Sequence, residues 1–288
     1  MHKYLRAIGF SKITSRKQLE SIYQQTLSNP NRKVATTIGV DTTLIQFFKD
    51  FGNGIGLSLV GEIDASGSLS IEHYFPYVIP QYAMEMDEIK VEKHCDKDSY
   101  AGVCDELNMS LIFFVQNIAD YTKLNWFSRK KVINCVMLSG LSSEGVILLP
   151  LAKTIQDLIY EKKSTQERSE LMRAAKSGDT DALETLALED IDMANSVARR
   201  TYTEDVLSIV DTSLIPYGVE CEHYAILGTI RSVKIIKNTV TNELLYNMVI
   251  ECNNLIINIC INTKDLQGEP APGRRFRGIV WLQGHLVI

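Results

Sequence analysis

The 288-residue sequence predicts an α+β protein with an N-terminal antiparallel sheet domain, a helical connector and a C-terminal small all-β barrel. Apolar and polar residues alternate over most of residues 34–149, as they do in strands with one buried face. The apolar spacing becomes helical between residues 161 and 215, and alternation returns from residue 216 onward. We therefore expect a sheet domain at 1–160, a connector at 161–215 and a barrel at 216–288.

The composition excludes several classes of protein. With 45% hydrophobic and 23% charged residues, the chain can bury a core, which excludes general disorder. A net charge of −5 gives no overall attraction to nucleic acid or to a membrane surface. The start lacks the apolar segment of a secretory signal, and the six cysteines include no CxxC pair. We expect reduced cysteines in a cytoplasmic protein that does not bind a membrane.

The sheet domain begins with a helix signal. Ser15 and Gln18 have the spacing of a capping box, and Leu19 opens an apolar helix face. Strand-like segments follow, separated by turns at FGNGIG and at residues 64–68. The segments VINCVML and VILLPL flank GLSSEG, residues 140–145, which predicts a hairpin with a turn there.

The connector and the barrel have simpler signals. The segment AAKSGDTDALETL predicts a helical hairpin, broken at Gly178. After residue 216, about four or five strand-like segments are too few for a large sandwich. They suit a small closed or half-open barrel of the oligonucleotide-binding or SH3-like type.

Arginines precede a tryptophan near the C-terminus. In an extended strand Arg275, Arg277 and Trp281 lie on one face, and Arg274 is adjacent. Small barrels bind single-stranded nucleic acid with cationic side chains and stacked aromatic rings. However, the region is nearly neutral, and a lone tryptophan in a barrel is more often a core residue. These four residues are candidates for binding either nucleic acid or a protein partner.

The segment HCDKDSYAGVCDE is the best candidate for a metal site. Its spacing does not match a calcium loop, and zinc would require an unusual arrangement. The surrounding residues 85–106 are acidic and more simply describe a solvated loop. We therefore assign no metal, cofactor or catalytic residue. The possible ligands in the segment are His94, Cys95, Asp96, Asp98, Cys104 and Asp105.

Two glycine-containing motifs do not complete a known signature. FGNGIG has Leu57 where a dinucleotide-binding fingerprint needs its third glycine. GLSSEG has Glu144 where a nucleophile elbow needs its last glycine. The histidines at positions 94, 223 and 285 remain the side chains to locate, because a histidine and a carboxylate meeting in the largest pocket would indicate an enzyme.

Several segments resemble a known family. LEDIDMANSVARR, EDVLSIVDTSLIPYGVECEHYAILGTI and INTKDLQGEPAPGRRFRGIVWLQG are similar to domain-of-unknown-function family 3881, as is the opening KYLRAIGFSKI. The resemblance covers the whole chain. It implies a bacterial, intracellular, two-part protein, and it transfers no activity and no catalytic residue.

We therefore expect an uncharacterised cytosolic protein that acts as a non-catalytic binding or scaffolding module. Its partner is expected to be an unidentified protein or a second copy of the chain. Two alternatives remain open at this point. One is single-stranded nucleic-acid binding through the barrel, and the other is a metal-dependent enzyme that uses residues 94–105.

Overall fold

The structure is a computed structural model. It describes residues 2–86, 88–94, 99–106, 109–127, 132–151, 167–168, 170–175, 177–202 and 205–288. The chain divides into two compact units, of which the first joins residues 1–149 to residues 212–288 and the second spans residues 150–211. Within the described residues, no helix has the length and apolar character needed to cross a membrane.

The elements follow one another in this order. The strands before residue 150 are β1 (Arg32–Thr37), β2 (Thr43–Asp50), β3 (Ile55–Ile63), β4 (Leu69–Val78), β5 (Ala83–Glu85), β6 (Lys90–Lys93), β7 (Tyr100–Glu106), β8 (Met109–Val115) and β9 (Cys135–Leu148). The later strands are β10 (Ser213–Pro216), β11 (His223–Lys237), β12 (Leu244–Cys252), β13 (Leu255–Asn262), β14 (Leu266–Gln267) and β15 (Arg275–Leu286). The helices are α1 (Arg16–Ser28), α2 (Ile118–Phe127), α3 (Thr180–Arg200) and α4 (Val206–Ile209), with 3-10 helices at Lys3–Ile8 and Thr263–Asp265.

The first four strands form an antiparallel sheet in the order β1-β2-β3-β4. Helix α1 packs on β2 and β3, and α2 packs on β1 and β2. The capping box is confirmed, because the Ser15 side chain accepts from the backbone of Gln18, whose side chain accepts from the Ser15 backbone. The turn between β2 and β3 also follows the prediction, since Gly52 and Gly54 adopt φ values of 112° and 81°.

Five strands close into a barrel. Strand β11 pairs with β12 and with β15, β12 pairs with β13, β13 pairs with β9, and β9 pairs with β15. The predicted fold class, α+β with an antiparallel sheet and a small barrel, is therefore confirmed. One barrel strand, β9, comes from the N-terminal region of the chain and joins β13 in parallel. For this reason residues 212–288 lie in the same compact unit as residues 1–149. The division into domains at 1–160, 161–215 and 216–288 stays a prediction.

The hairpin predicted at residues 140–145 is wrong, because β9 runs through them as one 14-residue strand. Its two glycines do not form a turn. They leave room for side chains of β15. A Cβ added to Gly140 would lie 2.2 Å from Cγ1 of Val280, and one added to Gly145 would lie 2.5 Å from Cε2 of Phe276. Both neighbours are on β15, so the two strands approach closely because these positions have no side chain.

The barrel strand β15 also extends the sheet on its other side. It pairs in parallel with β8 at Gln283 and Gly284, and β7 and β6 continue from β8 as antiparallel neighbours. Two short strands, β5 and β14, pair with β9. The hairpin of β6 and β7 is thereby placed next to the barrel.

The second unit is helical where it is described. Residues 170–175 are helical, and Gly178 follows them with a φ of 96°. The Asp179 carboxylate then accepts the backbone N–H groups of Asp181 and Ala182 at 3.0 and 3.2 Å, which caps the start of α3. Arg168 forms ion pairs with Glu189 and Asp190 of α3. These contacts agree with the predicted helical hairpin.

The N-terminal 3-10 helix is part of the core of the first unit. Leu5 and Ile8 are buried there, and the helix contacts β4, β9 and β13. The chain leaves the helix at Gly9 with a φ of 89°, where a Cβ would lie 2.7 Å from that of Asn238. The side-chain amide of Asn238 donates to the Ile8 carbonyl at 2.8 Å. The first residues of the chain are therefore fixed in position beside the barrel.

Candidate functional site

A cavity of about 630 Å³ lies beside the barrel within the first unit. Its lining contains four of the five histidines of the sequence, together with three glutamates and five aromatic side chains. The lining residues are His2, Lys3, Tyr4, Glu72, His73, Tyr74, Phe75, His94, Ser99, Phe114, Glu220, Glu222, His223 and Trp281. We call this the histidine cavity.

Six separate stretches of the chain supply these side chains. They are the N-terminal 3-10 helix with the residue before it, strand β4, the ends of β6 and β7, strand β8, the loop before β11, and strand β15. The loop before β11 turns at Gly218, which has a φ of 78°. The Leu282 N–H donates to the Glu222 carbonyl at 2.8 Å and so attaches this loop to β15. The strand pairing then places His223 directly opposite Trp281.

Two histidines of the cavity are each paired with a glutamate. Nε2 of His94 lies 2.7 Å from Oε1 of Glu222, and Nδ1 of His223 lies 3.1 Å from Oε2 of Glu220. The His94 contact lacks the alignment of a hydrogen bond. Its side chains are 21% and 7% exposed, so the pair is largely shielded from water.

Tyr4 places a hydroxyl group in the interior of the protein. The residue is 1% exposed, and its hydroxyl makes no hydrogen bond within the part of the chain that the structure describes. Burial raises the pKa of the Tyr4 hydroxyl well above its ordinary value, and the charges of Glu220 and Glu144 raise it further. The group therefore stays protonated near neutral pH.

Aromatic rings form one wall of the cavity. The Tyr4 ring stacks on those of His223 and Trp281, with ring centroids 5.6 Å apart in each case. The His2 ring lies 4.6 Å from Trp281, and the Lys3 ammonium lies 5.0 Å from the centroid of the Tyr4 ring. The wall thus combines the aromatic rings of Tyr4 and Trp281 with two imidazole rings.

The four residues predicted to bind nucleic acid or a partner are placed in different environments. Trp281 and Arg275 are each 5% exposed, and Nε of Arg275 donates to the Leu149 carbonyl at 3.0 Å. Arg274 donates to the Glu269 carbonyl at 2.6 Å, while Arg277 is exposed. Trp281 thus lies in the histidine cavity, and Arg277 is the member of the four that faces solvent. Binding of nucleic acid or of a protein partner through these residues stays a prediction.

The described residues of the segment considered for a metal site lie in different surroundings. Cys95, Asp96 and Asp98 lie outside the described residues, and His94 lines the histidine cavity. Cys104 is buried, with its sulfur 3.8 Å from that of Met86. Within the described residues, no group of three or more His, Cys, Asp or Glu side chains is arranged to hold a metal ion.

The fifth histidine, His285, lines a separate cleft of about 530 Å³. Arg32 and Asp120 face the same cleft and form an ion pair at 2.6 Å. Burial lowers the pKa of His285 below its ordinary value; Asp120 opposes this shift and Arg32 adds to it. Of the three histidines singled out in the sequence, His94 and His223 therefore enter the larger cavity, and each meets a carboxylate there.

Sequence reasoning missed several residues of the cavity, among them His2, Tyr4, His73 and Glu72. They come from segments far apart in the chain, and no local spacing connects them. One local signal was available in the segment VECEHY, where two glutamates and a histidine immediately precede an apolar strand. Titratable residues at a strand entrance are often functional, because loops at such positions can carry them into a cleft.

Comparison with known proteins gives a family but no activity. A family model described as "Domain of unknown function, E. rectale Gene description (DUF3881)" matches residues 5–284. Neither the curated proteins nor the solved structures contain a match to the chain. Because the family model covers nearly the whole sequence, the chain belongs to the DUF3881 family of domains of unknown function.

Proposed function

We propose that this protein is a binding module and that its ligand is a small polar molecule held in the histidine cavity. The observation that carries the proposal is the concentration of four histidines and three glutamates around one cavity. Three of them, His94, Glu222 and His223, have side chains no more than 21% exposed. Burying titratable side chains is costly unless they have a role there. A cavity of about 630 Å³ is of the size that small-molecule sites have.

The chemistry of the lining indicates what kind of molecule fits. The imidazoles can donate and accept hydrogen bonds, whereas the carboxylates of Glu72 and Glu222 accept them. The aromatic wall of Tyr4 and Trp281 favours a flat or apolar part. The lining therefore suits a ligand that combines hydroxyl, carbonyl or amine groups with a compact apolar part.

A ligand screen with a built-in reporter tests this function. The chain has two tryptophans, so Trp126→Phe leaves Trp281 as the sole tryptophan emitter. We expect compounds that raise the melting temperature of this variant to change the emission of Trp281, because its indole lies in the cavity wall. Stabilising compounds that leave the Trp281 emission unchanged would place binding elsewhere and contradict the proposal.

His94→Gln provides the matched variant, because His94 lines the cavity and its side chain is 21% exposed. We expect ligand affinity to fall about 2- to 10-fold, the usual effect of one lost hydrogen bond. His285→Gln is the control, since His285 lines the other cleft. Equal effects of the two variants would mean that His94 does not contact the ligand.

A further inference from the structure

The charged groups of the histidine cavity are mostly negative. Its lining contains the carboxylates of Glu72, Glu220 and Glu222. The lining also contains one ammonium group, that of Lys3. At about pH 8, where an ordinary imidazole is uncharged, these four groups have a net charge of −2. A cleft lined by an excess of one charge attracts ions of the opposite charge, so this cavity favours a cation.

Two of the three carboxylates are accessible to a molecule that enters the cavity. Glu72, on β4, is exposed and forms no ion pair within the described residues. The Glu220 side chain is 56% exposed, although its Oε2 lies 3.1 Å from Nδ1 of His223. Glu222 lies deeper, with a side chain that is 7% exposed. An ammonium group can therefore approach the carboxylates of Glu72 and Glu220 from the solvent.

Lys3 shows how a cation contacts the aromatic wall. Its ammonium lies 5.0 Å from the centroid of the Tyr4 ring, within the distance at which a cation is attracted to an aromatic face. Lys3 is exposed, and in the part of the chain that the structure describes it forms no ion pair. At an exposed site a contact of this kind is weak, so a second cation can replace it. The same position is open to the ammonium of a ligand once the Lys3 side chain moves away.

We propose that the ligand of the histidine cavity is an organic cation, a compact amine that is protonated at neutral pH. This inference rests on the proposed binding function and adds the charge of the ligand. The carboxylates of Glu72 and Glu220 hold the ammonium, and the apolar part of the ligand packs against the aromatic wall. Lys3 competes with the ligand for the same negative cavity. The cavity thus selects its ligand by charge as well as by size.

Matched compounds that differ in charge test the inference. Benzylamine, benzyl alcohol and benzoate share a benzene ring with one attached carbon, and at about pH 8 they are positive, neutral and negative. These compounds and their cyclohexyl counterparts join the screen of full-length Trp126→Phe protein, which reads the emission of Trp281. We expect the amine to bind about 10-fold more tightly than the alcohol, since each accessible carboxylate contributes about 2- to 5-fold. The acid should bind more weakly than the alcohol, and salt should weaken the binding of the amine alone.

Two substitutions with opposite expected effects locate the charge. Glu72→Gln removes an accessible carboxylate and is expected to lower the affinity for benzylamine about 2- to 5-fold, without changing that for benzyl alcohol. Lys3→Met removes the ammonium, keeps a long side chain, and is expected to raise the affinity for benzylamine by a similar factor. Glu88→Gln is the control, because Glu88 is exposed and does not line the cavity. Equal changes for the amine and the alcohol would contradict the inference.

The outcomes separate this inference from the proposed function. If the alcohol binds as tightly as the amine, the ligand is not selected by positive charge, and the binding function stands. The same conclusion holds if screened compounds change the emission of Trp281 but no amine does. If no compound of the screen changes that emission, the binding function fails and this inference fails with it. Circular dichroism and melting temperature establish that each variant is folded.

Discussion

Gly140 on β9 lies so close to Val280 on β15 that a Cβ on the glycine would be 2.2 Å from the Cγ1 atom of the valine. Val280 is fully buried in the core of the first unit. The absence of a side chain at Gly140 therefore lets β9 and β15 approach closely at the barrel wall, beside Trp281. This close approach also explains why a glycine occupies the middle of a long strand.

Gly140→Ala is expected to destabilise the first unit. The added methyl group must displace either Val280 or the β15 backbone, and overpacking of this kind costs about 1–3 kcal/mol. Urea denaturation followed by circular dichroism measures the change. Gly39→Ala is the control, because a Cβ there would meet its nearest atom at 3.8 Å in ordinary contact. Equal stability of the two variants would contradict the close approach of β9 and β15.

Cys252 makes the stability of the folded protein depend on pH in the alkaline range. Burial raises the pKa of its thiol from about 9 to about 12, and a backbone hydrogen bond at Ser213 opposes this only in part. Between these values the unfolded chain loses the proton while the folded chain keeps it. The contribution to stability is therefore complete below pH 9 and decreases as the pH rises toward 12.

Urea unfolding at pH 8 and at pH 10.5 measures this effect. We expect the free energy of unfolding to be lower at pH 10.5, and we expect a smaller decrease in Cys252→Ala. The other buried groups with raised pKa values contribute equally to the unchanged protein and to Cys252→Ala. The difference between their decreases in unfolding free energy therefore gives the contribution of Cys252. The same decrease in both proteins would contradict a buried, protonated thiol at this position.

Nucleic-acid binding through the barrel makes its own prediction. If single strands bind at Arg277 and stack on Trp281, an oligothymidine should quench the emission of Trp281 in the Trp126→Phe protein. The quenching should weaken steeply with salt and should be lost in Arg277→Ala. Because Trp281 is buried among Tyr4, His2 and Phe114, such stacking requires the aromatic wall to open. An absence of quenching at low salt would rule out this mode of binding.

Local signals predicted the elements, whereas the arrangement of the elements depended on contacts that are not local. The capping box at Ser15 and the turn glycines at 52 and 54 act within a few residues and could be recognised directly. Gly140 and Gly145 stand in a segment whose residues are typical of a turn. Their actual role is to leave room for Val280 and Phe276, which lie more than 100 residues later in the chain. The local sequence pattern does not show that β9 and β15 pack so closely.

The histidine cavity was difficult to predict for the same reason. His94 and His223 were recognised as candidates, and Glu220 and Glu222 stand next to His223 in the sequence, but only the fold pairs Glu222 with His94. Tyr4 has no sequence signal, because it is one aromatic residue in a short apolar N-terminal segment. The cavity forms where that segment, β4 and the barrel meet, and no single stretch of sequence encodes such a meeting.

A titration of the imidazole side chains tests the central claim most directly. Long-range proton–nitrogen spectra of nitrogen-15-labelled protein give separate signals for the five histidines, and single His→Gln variants assign them. During titration with a compound from the screen, we expect the signals of His2, His73, His94 and His223 to move together, because all four line one cavity. The signal of His285, in the other cleft, should not move. Movement of His285 alone, or of no histidine, would contradict a ligand site in the histidine cavity.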